Sequence, residues 1–300
     1  MNFDILPQQT LQYFIMRVVL LLTFLFCVTI GLFAQFNPGA KQISLSHSDI
    51  ALANDVFALF SNPSGLSQLN WREIGIYYSP APFGLSELAN GYVAYAEPFS
   101  FGSVAFGGMT YGFDLYRESK VSLGYSYNYD DKFFAGAAIN YHSFSIQNYG
   151  STGVIYFNLG GLAYITDEIR WGFAILNVNR ATLANEDDQI PMVFSTGFSY
   201  DVINTFTLNL ALEKDIRYKP SVKLGIDYDI IQYISLRAGV ANEPSTFSAG
   251  VGINYSIFSL DYALFKHPDL GLTHQAGIVL SFGRDGTRRA SIRKNLGITK

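Results

Sequence analysis

Asn140 and His142 stand two residues apart, and theirs is the nearest approach this sequence makes to a catalytic arrangement. Residues i and i+2 of a strand share a face, so amide and imidazole would point the same way, as in a Ser-His-Asn hydrolase built on a barrel wall. Ser143 and Ser145 fall on the opposite face by the same parity, and no other serine is placed to serve as nucleophile. The four histidines, His47, His142, His267 and His274, are scattered without metal-ligand spacing. There is no phosphate loop, nucleophile elbow or zinc-hydrolase helix. Neither enzyme activity nor a metal or other cofactor is expected. The chemistry that remains is a set of polar residues at alternate positions of apolar stretches: Glu73, Asn140, His142, Glu213, Lys223, Asp227, Arg237, Asn254 and Asp261. Parity turns them all toward an interior, where such charges normally pair with one another. Selecting a ligand is the alternative role.

The elements that must position them read as strands. In Val222 to Val240, Val222, Leu224, Ile226 and Tyr228 alternate with Lys223, Gly225, Asp227 and Asp229. After a tight break, Ile234, Leu236, Ala238 and Val240 alternate with Ser235, Arg237 and Gly239. This is a hairpin with one oily and one polar face. A form Gly-x-x-Tyr recurs and ends at Tyr127, Tyr164, Tyr200, Tyr228 and Tyr255, spaced roughly 27 to 37 residues apart, the length of two strands and their connections. Tyrosine at one end of alternate strands predicts an aromatic girdle at a membrane surface, where the ring is in the headgroup zone and the hydroxyl stays wet.

Composition agrees. Charged residues make up 15% and aromatic residues 16%, and the mean hydropathy is +0.17 with no long apolar run after residue 34. A helical membrane protein is excluded, whereas a barrel fits because every second residue of each strand faces water. A net charge of −4 without an aromatic-basic cluster argues against nucleic acid.

Taken in order, residues 1–35 predict a signal peptide, with Arg17 before the run Val18 to Phe33 and Ala34 at its close. Met16 makes a better start than Met1. Cys27, the only cysteine, lies inside the run, so the mature chain has no thiol or disulfide chemistry. Residues 36–69 break the alternation. Ser48 to Phe60 has the apolar spacing of a short helix, with Ser48 or Asp49 as cap, and Asn62-Pro63-Ser64-Gly65 stops it. Residues 70–283 give about fourteen strand-like segments, at 71–79, 90–97, 101–110, 120–128, 133–146, 152–165, 169–177, 192–200, 204–213, 220–229, 233–241, 246–255, 257–265 and 274–282. Connections after even strands are tight, and several after odd strands are longer, including 80–89, 111–119, 178–191 and 266–273. The fold class is therefore all-β, a transmembrane antiparallel up-and-down barrel with a short N-terminal helical plug. Residues 284–300 read as a basic, disordered tail on the periplasmic side.

The run Asp49 to Leu66, with Asp49, Asp55, Asn62, Pro63, Gly65 and Leu66 as its fixed points, resembles the opening of the PorV/PorQ family and of its relative, the FadL outer-membrane transport family. Leu270-Gly271-Leu272-Thr273-His274 is similar to the family's segment before the last strand, so the likeness covers nearly the whole mature chain. Ser46-His47 departs from it where relatives carry a glycine pair. The resemblance implies an N-terminal segment tucked inside the barrel, where Asp49, Asn54 and Asp55 would meet Lys223 or Arg237. It implies the outer membrane of a Gram-negative bacterium, with lipid and the barrel-assembly machinery as partners. Three functions follow: an accessory role in type IX protein secretion alongside its other components, FadL-like uptake of a small hydrophobic ligand, or a structural barrel without transport. The loops are short for the external funnel of FadL relatives and, with less weight, short for a docking surface; the family resemblance makes the secretion role the first expectation.

Overall fold

The computed structural model describes residues 38–183 and 190–298. The expected signal peptide, with Met16 and Cys27, lies outside the described residues. Fourteen strands form one closed antiparallel barrel: β1 Arg72–Ser79, β2 Asn90–Phe99, β3 Gly102–Gly112, β4 Tyr116–Tyr129, β5 Phe133–Ile146, β6 Gly150–Tyr164, β7 Ile169–Leu176, β8 Val193–Ile203, β9 Phe206–Asp215, β10 Ser221–Ile231, β11 Ile234–Asn242, β12 Ser245–Tyr255, β13 Phe258–His267 and β14 Gly271–Phe282. Each strand pairs with its neighbours in sequence, and β1 closes on β14 from Arg72 opposite Phe282 to Tyr78 opposite Ala276. Closure satisfies the backbone of every strand without leaving a sheet edge, the condition for crossing lipid. No helix among the described residues is long and apolar enough to cross a membrane.

The period of two decides which face is which. On β10, Val222, Leu224, Ile226 and Tyr228 point outward and are 41–50% exposed, while Ser221, Lys223 and Asp227 are buried inside. An apolar belt of this kind around the whole barrel suits hydrocarbon and not water. The connections define two ends. A turn end carries short links such as Asp130-Asp131-Lys132 and Gln232-Tyr233, and a loop end carries the links at 80–89 and 177–192. Two expected loops are mostly strand. The polar residues of 111–119 suggested a loop, but Gly112 lies opposite Arg117 and the ladder runs on to Tyr116 opposite Ile146. Likewise β13 and β14 leave only residues 268–270 between them.

The packed core lies inside the lumen, between the wall and the N-terminal segment. That segment holds α1 (Ala40–Ser44), α2 (Ala58–Ser61) and a 3-10 turn at Pro63–Gln68. The continuous helix expected over Ser48 to Phe60 is not formed; only its last residues are helical. The amides of Leu52 and Ala53 both reach the Asp49 carbonyl at 2.9 Å, and Ala53 then takes a φ of 30°, ending the turn. Neither Ser48 nor Asp49 caps a helix, and Ser48 Oγ donates back to the Leu45 carbonyl at 2.7 Å. The apolar spacing misleads because the segment is enclosed on all sides, so no solvent-facing side has to be marked.

Wall glycines admit the plug. A Cβ at Gly136 would overlap the backbone of Pro63 and Ser64, and one at Gly239 would overlap that of Leu45 and Ser46. Asn62 locks the join: its Nδ2 donates to the carbonyls of Ile50 (2.8 Å) and Gly161 (3.3 Å), and its Oδ1 accepts from Ser64 Oγ at 2.6 Å. Gly65 passes so close to the Ala53 carbonyl that no side chain fits, and Leu66 is fully buried.

The expected free tail is instead a cap. Residues Arg288–Asn295 form α3, with Thr287 Oγ1 accepting from the Ala290 amide at 3.4 Å. Ile292 and Leu296, one helical turn apart, pack into the core beneath the plug. Arg289 donates to the Asn204 carbonyl in the β8–β9 turn and Arg293 to that of Asp167 in the β6–β7 turn, both at 3.0 Å. A polar, basic composition suggested disorder, but these arginines have acidic partners waiting in the lumen.

Candidate functional site in the upper lumen

The plug divides the lumen into a floor at the turn end and a cavity at the loop end. In the floor, charges are matched. Glu73 accepts from the Val56 amide (3.0 Å), Trp71 Nε1 (2.7 Å) and Ser281 Oγ (2.8 Å), and pairs with Arg288 at 2.5 Å. Arg237 lies between Asp227 (3.0 Å) and Asp261 (2.5 Å). Arg170 and Asp201 pair at 2.6 Å, with Thr207 Oγ1 also donating to Asp201. The cap adds Arg289 near Asp227 and Asp229 and Arg293 near Asp201, at 3.7–3.9 Å. Asn254 accepts from Ser259 Oγ at 2.7 Å. Such a network is worth little as net stability but is costly to break.

The plug's own charges stay within the plug. Asp55 pairs with Lys41 at 3.4 Å and accepts from Gln42 at 2.7 Å, and Lys41 also donates to Asn54. The expected contacts of Asp49, Asn54 and Asp55 with Lys223 or Arg237 are not made. Lys223 pairs with Glu213 at 2.8 Å and Arg237 with the floor acids, because each has a nearer carboxylate on an adjacent strand. Burial pushes Asp55 upward, but Lys41, Arg288 and its hydrogen bonds outweigh that and hold its carboxyl below the usual range. Burial raises Asp49 to about 6 despite Lys41, and burial together with Lys223 lowers His47 to about 3.

Above the plug lies a cavity of about 540 Å³. Phe60 of α2, Ser46 and His47 form its bottom, the inward side chains of the wall its sides, and Arg217, Tyr218, Lys219 and Pro244 its rim. Along one register line, Tyr92 on β2 lies opposite Met109 on β3, Met109 opposite Lys120 on β4, and Lys120 opposite His142 on β5. Lys120 Nζ stands 5.2 Å from the Phe60 ring centroid and 5.5 Å from that of Tyr92, a cation held against two aromatic rings. Glu118, next inward on β4, lies 2.9 Å from His142 Nε2 and accepts from Tyr116 Oη at 2.9 Å. The His142 ring lies over Phe144 at 4.1 Å and near Tyr156 at 6.4 Å.

The structure thus brings His142, Glu213 and Lys223 to the cavity and Glu73, Asp227, Arg237, Asn254 and Asp261 to the floor. Asn140 sits in the wall between them, accepting from Ser122 Oγ at 2.6 Å. Tyr127, Tyr200, Tyr228 and Tyr255 stand on the outer face near the turn end. Tyr164 does not; it points inward and donates to Gln68 Oε1 at 2.8 Å. In its motif Gly161 is the outward residue, lying under Phe173, so the Tyr three positions on has the opposite parity. Sequence reasoning missed Glu118 by beginning the strand at residue 120, four residues late, and passed over Lys120 at that strand's first position. The alternation Tyr116, Glu118, Lys120, Ser122 carried the signal.

No family model matches the chain, and no curated protein matches it in sequence. Solved structures match its fold. The toluene transporter TodX of Pseudomonas putida is 12% identical with a TM-score of 0.59, covering 84% of this chain and 99% of its own. A FadL homologue of Pseudomonas aeruginosa is 13% identical with a TM-score of 0.56, covering 83% and 98%. The fold is that of the FadL-like outer-membrane barrels.

Proposed function

We propose that the chain is an outer-membrane channel of FadL type that takes a small, partly aromatic molecule from the loop side into the cavity above its plug. The carrying observation is the cavity: about 540 Å³, open toward the loops and closed below by plug and cap, within the ordinary size of a small-molecule site. The structures it resembles are named as a toluene transporter and a FadL homologue, which supports uptake. The secretion reading rests on the Asp49–Leu66 and Leu270–His274 resemblance alone. Asn62, Gly65 and Leu66 are spent on fixing the plug to the wall, a task either kind of barrel needs. The motif therefore does not favour secretion over uptake.

The test is a deletion strain carrying either the wild-type chain or Met109→Trp, which fills the cavity. Uptake of labelled toluene and 2-naphthoate and delivery of proteins to the cell surface are measured together. Uptake of at least one compound should fall in Met109→Trp while surface delivery is unchanged. Unchanged uptake together with lost surface proteins would restore the secretion reading. The mature protein should fractionate with the outer membrane and migrate heat-modifiably; recovery in the soluble periplasm would overturn the membrane placement.

A further inference from the structure

Among the described residues, the cations of the cavity are not equivalent. Lys223 is neutralised by Glu213 at 2.8 Å and Arg217 by Asp215 at 2.9 Å. Lys120 has no carboxylate within ion-pair distance among the described residues, and its ammonium rests on the rings of Phe60 and Tyr92. Its register partner His142 also has an unmet need: both ring nitrogens are buried without a hydrogen bond, although Nε2 lies 2.9 Å from the Glu118 carboxylate. Side chains directly opposite on paired strands lie about 5 Å apart at Cβ. The cation and the imidazole thus stand side by side on one patch of the wall that lines the cavity. A buried polar atom left unpaired in a native protein calls for an explanation, and beside a cavity a bound ion, water or ligand supplies one.

We propose that Lys120 and His142 together receive the acidic group of a small aromatic carboxylate, whose ring packs among Phe60, Tyr92, Met109 and Tyr156. The inference rests on the cavity being a ligand site and names the class of ligand. A carboxylate accepts from the Lys120 ammonium and from the ring N–H of the neighbouring His142. Two charge-assisted bonds discriminate against an uncharged molecule of the same shape. A neutral hydrocarbon would fill the aromatic part but leave both polar groups bare, the situation in which a polar site rejects an analogue most strongly. An aromatic cation is disfavoured, since Lys120 already occupies the ring faces that would receive it.

The experiment compares 2-naphthoate with 2-naphthamide, equal in size and different in charge, by equilibrium dialysis against purified protein whose folding is verified by heat-modifiable migration. The wild type should bind naphthoate about tenfold or more tighter. Lys120→Met should remove the preference while keeping naphthamide binding, and Lys120→Arg should retain it. Equal binding of both compounds by the wild type, or a preference that survives Lys120→Met, would overturn the anion assignment and leave the cavity reading standing. Binding of neither compound to the folded barrel would overturn the cavity reading and this inference with it.

Discussion

The two halves of the lumen hold similar residues, but the charges of the floor are paired and those above the plug are paired only in part. In the floor, Glu73, Asp201, Asp227 and Asp261 each have an arginine partner, two of them supplied by α3 as well as by the wall. In the upper half, Lys120 has rings instead of a carboxylate and His142 has a nitrogen without a partner. Matched charges make a rigid, closed base, and unmatched ones next to empty space make a place for something else. The same barrel wall builds both, and the difference lies in whether each inward charge meets a counter-charge, from another strand of the wall or from the cap.

The largest effect should come from breaking a matched set. Arg237→Met leaves Asp227 and Asp261 buried, with only Arg289 at 3.9 Å from the former. Uncompensated buried charge costs about 3–5 kcal/mol, so the temperature of the gel-mobility shift should fall markedly. A loss no larger than that of Lys120→Met would erase the distinction between the halves.

Removing residues 284–300 takes Arg288, Arg289 and Arg293 from the floor acids and uncovers the core under Ile292 and Leu296. The barrel should still close, since β1 and β14 are intact, but with reduced thermal stability. Glu73 and Asp201 should become reactive toward a water-soluble carbodiimide. If both stay protected, the plug alone seals the floor and the cap is ornamental.

The plug titrates in two opposed ways. Asp49, raised to about 6, holds its proton more tightly folded than unfolded. Its favourable contribution is therefore full below about pH 4 and is lost as pH rises through 6, at order of magnitude about 3 kcal/mol. His47, lowered to about 3, resists protonation when folded, so stability falls as pH drops below about 6.5. Asp49→Asn should raise the unfolding midpoint at pH 8 and do little at pH 4. His47→Gln should instead protect the barrel on the acid side. Urea midpoints of the three proteins across pH 4–8 check both signs, and a parallel shift at all pH values would exclude the assignment.

Much of the architecture was legible because the period of two survives wherever one face meets lipid. The fourteen strands were readable for that reason, and Lys223, Asp227 and Arg237 could be turned inward by parity alone. The illegible parts are those that face protein on every side. Nothing in Ser48 to Phe60 separates helix from irregular turns when the whole segment is enclosed. Tyr164 was misplaced because a motif was counted from Gly161 when Gly160 is the inward glycine of that pair. The cap did leave a trace, in Arg288, Ile292, Arg289, Arg293 and Leu296 at helical spacing behind Thr287. It was hidden by reading basic composition without asking which acids it could meet. Lys120 and His142 could not have been paired from sequence, since their juxtaposition depends on the register of β4 against β5.

The smallest expected effect on stability is the sharpest test of the comparison. Lys120→Met keeps the length of the side chain and its packing against Phe60 and Tyr92, and a thioether is at ease beside aromatic rings. What is lost is a cation–π contact worth about 0.5–1 kcal/mol at a partly exposed site, partly offset because a charge no longer has to be kept from water. Glu118, whose charge Lys120 feels, keeps its contacts with Tyr116 and His142 after the change. The unfolding midpoint should therefore move by less than the equivalent of about 1 kcal/mol, against several for Arg237→Met. A residue that can be removed at so little cost, from a wall otherwise held by paired charges, is not there for the fold. Should Lys120→Met destabilise the barrel as much as Arg237→Met does, Lys120 would join the scaffolding, and the upper lumen would be a second floor.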